Sequence, residues 1–167
     1  MKPERVEILR QGLMAGMLGY GVVVVFFAVV NVFGGRSVFY TAAVLGGALF
    51  YGARDVSQVA VAAGPVLSYN GVHMLVFLAF GIVAAWLAEL SEHGPQFWYI
   101  AAILMITFAF HLFGLLLGLS ESLRGAIPAW SVLASGLLAS GAMVTYLLWV
   151  HPAVRRALHK SGVEEEG

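Results

Sequence analysis

Two histidines, His73 and His111, lie inside long apolar stretches of the chain. An ionisable side chain at such a position costs free energy and is often functional. A short polar turn near positions 93–94 joins the two stretches, 65–90 and 97–119. Two antiparallel helices would therefore place both imidazoles within about 5 Å of one depth. Such a pair is able to hold haem b between its rings, to ligate a metal ion or to contact a quinone.

A structural role explains the same two residues more simply. Membrane histidines often hydrogen-bond to a neighbouring helix. Asn70, Tyr69 and Thr107 lie near enough in the sequence to be hydrogen-bond partners of these histidines. The cofactor-binding interpretation, with Asn70 and Thr107 close to a haem b, is kept as the alternative.

Five apolar stretches hold most of the 167-residue chain. Hydrophobic residues make up 60% of the composition and charged residues 11%, which is far from the mix of a soluble domain. Four stretches reach the ~20 residues that a helix needs to cross a ~30 Å hydrocarbon core. The sequence thus predicts an all-α integral membrane protein with one membrane domain over residues 1–167, embedded in the lipid bilayer, and spans at 9–33, 65–90, 97–119 and 129–150.

The fifth stretch, 38–53, is too short for an ordinary crossing, because ~16 residues of helix extend only ~24 Å. The distribution of Lys and Arg also indicates that 38–53 does not cross the membrane, since cytoplasmic segments are enriched in these residues. Four spans place six of the nine basic residues beside the termini and three on the other side, whereas five spans divide them five to four. We therefore expect a four-transmembrane-helix bundle with a re-entrant or interfacial segment at 38–53 between its first two helices.

The same charge asymmetry predicts the orientation of the bundle. Both termini, including the tail 151–167, are expected in the cytoplasm, and the bacterial inner membrane is the expected location. His93, His151 and His159 fall at the ends of the apolar stretches or in the tail, so we expect water to surround them.

Small residues recur along the spans and predict where helices touch. In lipid, close backbone approach through small residues is a main cause of helix association. A solute pathway lined by the same residues is the alternative interpretation. The expected packing positions are Gly12, Gly16, Gly114, Gly118, Ser135, Gly136 and Ser140.

Composition and motifs narrow the classes of function. The sequence has no Ser/His/Asp set, no His-Glu-x-x-His and no phosphate-binding loop, so an enzyme is not expected. The absence of cysteine excludes disulfides, iron–sulfur clusters and thiolate zinc sites. A net charge of zero offers no basic face for nucleic acid.

Three functions remain open. The favoured hypothesis is a small non-catalytic accessory subunit of a larger membrane complex, joined through small-residue helix faces to other membrane subunits or to copies of itself. The alternative is an electron-transfer protein that binds haem b or contacts a quinone through His73 and His111. The third is a small oligomeric channel or transporter, suggested by the glycine-rich first span and by 38–53.

Overall fold

A computed structural model shows a protein built from helices. The structure describes residues 3–92 and 119–156, with positions 102, 105, 106, 109 and 113 between them, and no strand occurs in these ranges. In chain order the elements are α1 (Pro3–Phe33), α2 (Tyr40–Phe50), a 3₁₀ helix (Val56–Gln58), α3 (Ala63–Ser91), α4 (Glu121–Ala126) and α5 (Ala129–Val150).

Three of these helices are long and apolar enough to cross a membrane. They are the part of α1 from Arg5 to Phe33, together with α3 and α5. Their 29, 29 and 22 residues extend about 44, 44 and 33 Å, compared with a hydrocarbon core of ~30 Å. The 11 residues of α2 extend only about 16 Å. The stretch 97–119 lies almost wholly outside the described residues, so a membrane span there stays a prediction. The re-entrant or interfacial role of 38–53 also stays a prediction.

α1 and α3 pack with their backbones in contact, and glycine permits this approach. Gly12 lies against the Ile82 backbone, and Gly81 of α3 faces both Gly12 and Gly16. A Cβ atom at Gly16 would stand 2.5 Å from the Phe77 carbonyl oxygen, well inside the 3.5–4.0 Å that nonbonded heavy atoms prefer. We call Gly12, Gly16 and Gly81 the glycine seam.

α1 also packs along α5 and so lies between α3 and α5. Phe77 of α3 and Met143 of α5 are both fully buried in the core that the three helices share. Ala15 of α1 and Ala139 of α5 are completely buried beside them. Small and large side chains thus alternate across the contact, which brings α1 close to both neighbours.

Two small residues of α5 contact Met105 and Ala109, which lie between α3 and α4 in the sequence. A Cβ atom at Gly136 would stand 3.2 Å from the Cβ of Ala109. The Ser140 hydroxyl donates a long hydrogen bond of 3.5 Å to the Met105 carbonyl. Ser135 is buried and donates to the Val132 carbonyl of its own helix at 2.9 Å. Gly114 and Gly118, the other expected packing positions, lie outside the described residues.

α2 closes one end of the bundle, which we call the α2 end. It packs on α3, where the backbone of Gly46 meets that of Pro65. Val44 of α2 is buried together with Leu123 of α4 and Ile127. A short helix, its flanking loops and α4 therefore form a second small core beyond the long helices.

Asp55 ties the loop after α2 to the start of α4. Its carboxylate accepts hydrogen bonds from the Ser57 hydroxyl (2.7 Å), the Ser57 backbone N–H (2.8 Å) and the Ser122 hydroxyl (2.9 Å). The Ser57 hydroxyl, followed by the other two donors, lowers the pKa of Asp55 below its usual value. The Ser120 hydroxyl donates to the Arg54 carbonyl alongside.

Acidification is expected to loosen this junction. The folded state lowers the pKa of Asp55, so the ionised carboxylate stabilises the folded protein. This stabilisation is complete above the pKa of Asp in the unfolded chain, about 3.9, and is lost as the pH falls through the lower pKa of the folded state. Thermal unfolding of the detergent-solubilised protein between pH 7 and 3 should show a smaller acid-induced fall of the midpoint in Asp55→Asn than in the wild type. Equal falls in both proteins would contradict this expectation.

Candidate functional site

His73 lies on α3 among aromatic rings. Its side chain is buried, with 8% of the residue exposed. The imidazole centroid is 4.9 Å from that of Tyr69, 5.0 Å from Phe77 and 6.2 Å from Tyr20 of α1. The Tyr69 and Tyr20 rings stand edge-on to it, an arrangement that aromatic pairs favour.

The Nε2 atom of His73 is enclosed and has no hydrogen-bond partner within the described part of the chain. Most buried polar atoms are paired, so an exception needs an explanation such as a role in binding. Leaving a buried donor or acceptor unpaired costs about 1–3 kcal/mol. The imidazole therefore lowers stability at this position relative to a ring of similar shape without nitrogen.

A cavity of about 260 Å³ lies beside His73, and we call it the His73 cavity. Its walls come from α1, from α2 with the turn before it, and from α3. Tyr20, Phe27 and Tyr69 contribute aromatic surface, and most of the remaining wall is aliphatic. A mostly apolar concave site with a few polar groups is typical of small-molecule binding sites.

The amide side chains in the cavity wall are already paired. Asn70 accepts a hydrogen bond from the Tyr20 hydroxyl at 2.9 Å and donates to the Val66 carbonyl at 2.8 Å. Asn31 accepts from the Thr41 hydroxyl at 2.9 Å and donates to the Val38 carbonyl at 3.1 Å. These bonds join α1 to α3 and to the segment that contains α2, whereas no described residue bonds to the buried Nε2 of His73.

Of the predicted histidine pair, the structure describes only His73. His111 and its expected neighbour Thr107 lie outside the described residues. Asn70 does lie beside His73 in the cavity wall, but its side-chain hydrogen bonds go to Tyr20 and Val66. Asn70, one of the three candidate partners, therefore bonds to groups other than His73.

A second polar site stands at the opposite end of the bundle and was not expected. His151 follows α5 and was predicted to be surrounded by water, but the residue is only 3% exposed. Its Nδ1 lies 2.9 Å from Glu92 Oε1 beyond the end of α3, and its Nε2 lies 2.8 Å from Gln11 Oε1 of α1. We call Gln11, Glu92 and His151 the polar clasp.

The hydrogen bonds around the polar clasp extend to Glu7. The Gln11 Nε2–H donates to Glu7 at 2.9 Å, so the amide oxygen of Gln11 faces His151. Both imidazole nitrogens of His151 therefore lie against oxygen atoms, one of Glu92 and one of Gln11.

Glu89, Glu92 and His151 each present a potential metal-ligand atom within 4.8 Å of the others. Mixed imidazole and carboxylate sets bind several divalent metals. Here, however, the two ring nitrogens of His151 already bond to Glu92 and Gln11. A metal ion would have to replace the bond to Glu92, so we describe this cluster as a clasp between helices and assign no metal to it.

The sequence contains a signal for the polar clasp that the apolar stretches alone do not reveal. Glu7 and Gln11 are four residues apart and share one face of α1. Glu89 and Glu92 end α3, and His151 ends α5. Polar residues placed at the same end of three antiparallel or parallel spans are candidates for one cluster.

In comparisons with known proteins, the chain matches no protein-family model, no curated protein and no solved structure.

Proposed function

We propose that the protein binds a small lipid-soluble molecule in the His73 cavity. The observation that carries this proposal is an enclosed imidazole with an unpaired Nε2 in the wall of a largely apolar cavity. A side chain that lowers stability is retained more readily where it serves binding. The apolar walls select for a molecule that is soluble in the membrane.

The volume of the cavity favours a ligand with one ring over a macrocycle. A cavity of ~150 Å³ in another protein holds benzene, so 260 Å³ accommodates one substituted ring. A haem carries four linked pyrrole rings and needs considerably more space. Within this cavity, a single ring such as that of a quinone therefore fits better than haem b.

The accessory-subunit hypothesis remains a proposal without a distinguishing observation. Met14, Met17 and Val25 of α1 are exposed by 56%, 47% and 62%, and lipid tails cover such surfaces as readily as another subunit does. A channel or transporter formed by several copies has no further support. Partners of either kind would be found by mild solubilisation and identification of the proteins that co-purify.

The proposed location is the bacterial inner membrane with both termini in the cytoplasm. In this topology the α2 end, and with it the His73 cavity, belongs to the outer half of the bilayer. In this topology six basic residues lie beside the termini and three on the other side, as the enrichment of Lys and Arg in cytoplasmic segments requires. A reporter fused after Gly167 should read as cytoplasmic, and an external reading would contradict this orientation.

The proposal predicts saturable binding of a simple apolar probe. Decylbenzene should bind the protein in lipid nanodiscs at one molecule per chain above its partition into empty nanodiscs. At a hundredfold excess over its dissociation constant, it should raise the free energy of unfolding by about 2.7 kcal/mol. Isothermal titration calorimetry and thermal unfolding provide the two measurements.

Two variants test whether the His73 cavity is the binding site. Ala42→Phe adds a ring to the wall, and Leu67→Trp adds bulk at an exposed wall position. Both should abolish saturable binding. Leu75→Phe serves as the matched control because Leu75 lies on the same helix as Leu67, is 62% exposed and is not in the cavity wall. Undiminished binding in both cavity variants would refute the proposal.

A further inference from the structure

The position of the opening indicates the route by which a ligand reaches His73. Four wall residues of the His73 cavity are exposed, with values of 39% for Val24, 45% for Val38, 54% for Phe39 and 68% for Leu67. All four are apolar, and two of them lie on helices long and apolar enough to cross a membrane. An opening with such a rim faces hydrocarbon better than water, so the ligand enters from the lipid.

The inner part of the cavity is suited to a flat ring. Tyr20, Tyr69 and His73 present aromatic surfaces there, and aromatic groups bind rings by offset or edge-on contact. Asn70 and Asn31 are occupied by hydrogen bonds to protein groups. Among the described residues of the wall, His73 carries a buried nitrogen without a hydrogen-bond partner, and this nitrogen is the group that we assign to recognition of a polar atom of the ligand.

The imidazole of His73 is suited to more than one kind of ligand oxygen. A neutral imidazole carries one N–H donor and one acceptor nitrogen, and its tautomers exchange these roles. It is therefore able to donate to a carbonyl oxygen or to accept from a hydroxyl group. Nε2 is enclosed by its neighbours, so contact with a ligand oxygen requires the ring of His73 to turn about Cβ–Cγ, a torsion with broad minima.

We infer that the ligand of the His73 cavity is a quinone-type ring with an apolar tail, bound in both its oxidised and its reduced form. The ring packs among the aromatic residues, His73 hydrogen-bonds to one ring oxygen, and the tail leaves past Val24 and Leu67 into the lipid. The oxidised form accepts the hydrogen bond through its carbonyl, and the reduced form donates through its hydroxyl. This inference rests on the proposed function and adds the chemical class of the ligand.

Three probes with the same tail separate the contribution of the ring oxygen from that of the apolar contacts. They are 2-decyl-1,4-benzoquinone, its hydroquinone and decylbenzene, each titrated into protein in nanodiscs. The quinone and the hydroquinone should both bind about tenfold more tightly than decylbenzene, which is the effect of one hydrogen bond. His73→Phe should remove this tenfold preference and leave the binding of decylbenzene unchanged.

The decylbenzene measurement also serves as the folding control, because a misfolded His73→Phe variant would lose all three probes. In that case His73→Leu repeats the test with a smaller apolar side chain. Equal binding of all three probes to the wild type, lost in Ala42→Phe, would overturn the quinone-type ligand and keep the proposed function. Absence of saturable binding by any probe would overturn both.

Discussion

Gly81→Val is expected to force α1 and α3 apart and to lower the free energy of unfolding by about 3 kcal/mol or more. Any Cβ atom at Gly81 would overlap main-chain atoms of Gly12 and Gly16. A backbone cannot rotate out of the way as a flexible side chain can, so the helices themselves must move. The unfolding free energy would be measured in mixed micelles by increasing the fraction of denaturing detergent.

Gly71→Val is the matched control for this substitution. Gly71 lies on the same helix, and a Cβ atom there would meet nothing within 4 Å, so a change of no more than about 0.5 kcal/mol is expected. Gly12→Val should be as harmful as Gly81→Val, and the double variant should lose less than the sum because one contact is removed twice. Equal losses for Gly71→Val and Gly81→Val would show that the glycine seam has no special role.

Local sequence patterns predicted the helices well because apolar length is a local property. The expected spans 9–33, 65–90 and 129–150 correspond to α1, α3 and α5. α1 nevertheless begins at Pro3, six residues before the apolar stretch. Its polar first turns still form helix, aided by a hydrogen-bonded ion pair between Glu7 and Arg10 at 2.7 Å, three residues apart on one face.

The His73 cavity depends on long-range neighbours that sequence spacing does not identify. Its wall combines Tyr20 of α1, Phe39 before α2 and Tyr69 of α3. The sequence offered Asn70, Tyr69 and Thr107 as possible partners of the histidines. Asn70 instead bonds to Val66 of its own helix and to Tyr20 of α1, fifty residues away, because α1 packs along α3.

The surroundings of His151 were predicted wrongly for a related reason. Position at the end of an apolar stretch usually means contact with water, and this rule considers one helix at a time. Gln11 of α1 and Glu92 at the end of α3 both bond to His151. Contacts from these other helices exclude water from a residue that would be exposed at the end of α5 alone.

His151→Ala is expected to lower the free energy of unfolding by about 3 kcal/mol. The substitution removes two hydrogen bonds, one of them to a carboxylate, and a hydrogen bond to a charged group is worth ~1.5–3 kcal/mol. It also leaves the amide oxygen of Gln11, a residue that is 7% exposed, without its partner. The loss of unfolding free energy would be measured in mixed micelles. Arg156→Ala is the control, because Arg156 is exposed and lies five residues after His151.

A double-mutant cycle separates the polar clasp from the general effect of removing a buried ring. If His151 and Glu92 act through their mutual bond, Glu92→Ala should cost little in a protein that already carries His151→Ala, with a coupling energy of at least about 1 kcal/mol. The same should hold for Gln11→Ala, because its bond to His151 is lost in the same way. Strict additivity in both cycles would mean that His151 stabilises the protein by filling space, and that α1, α3 and α5 are held together at this end by packing instead of by the clasp.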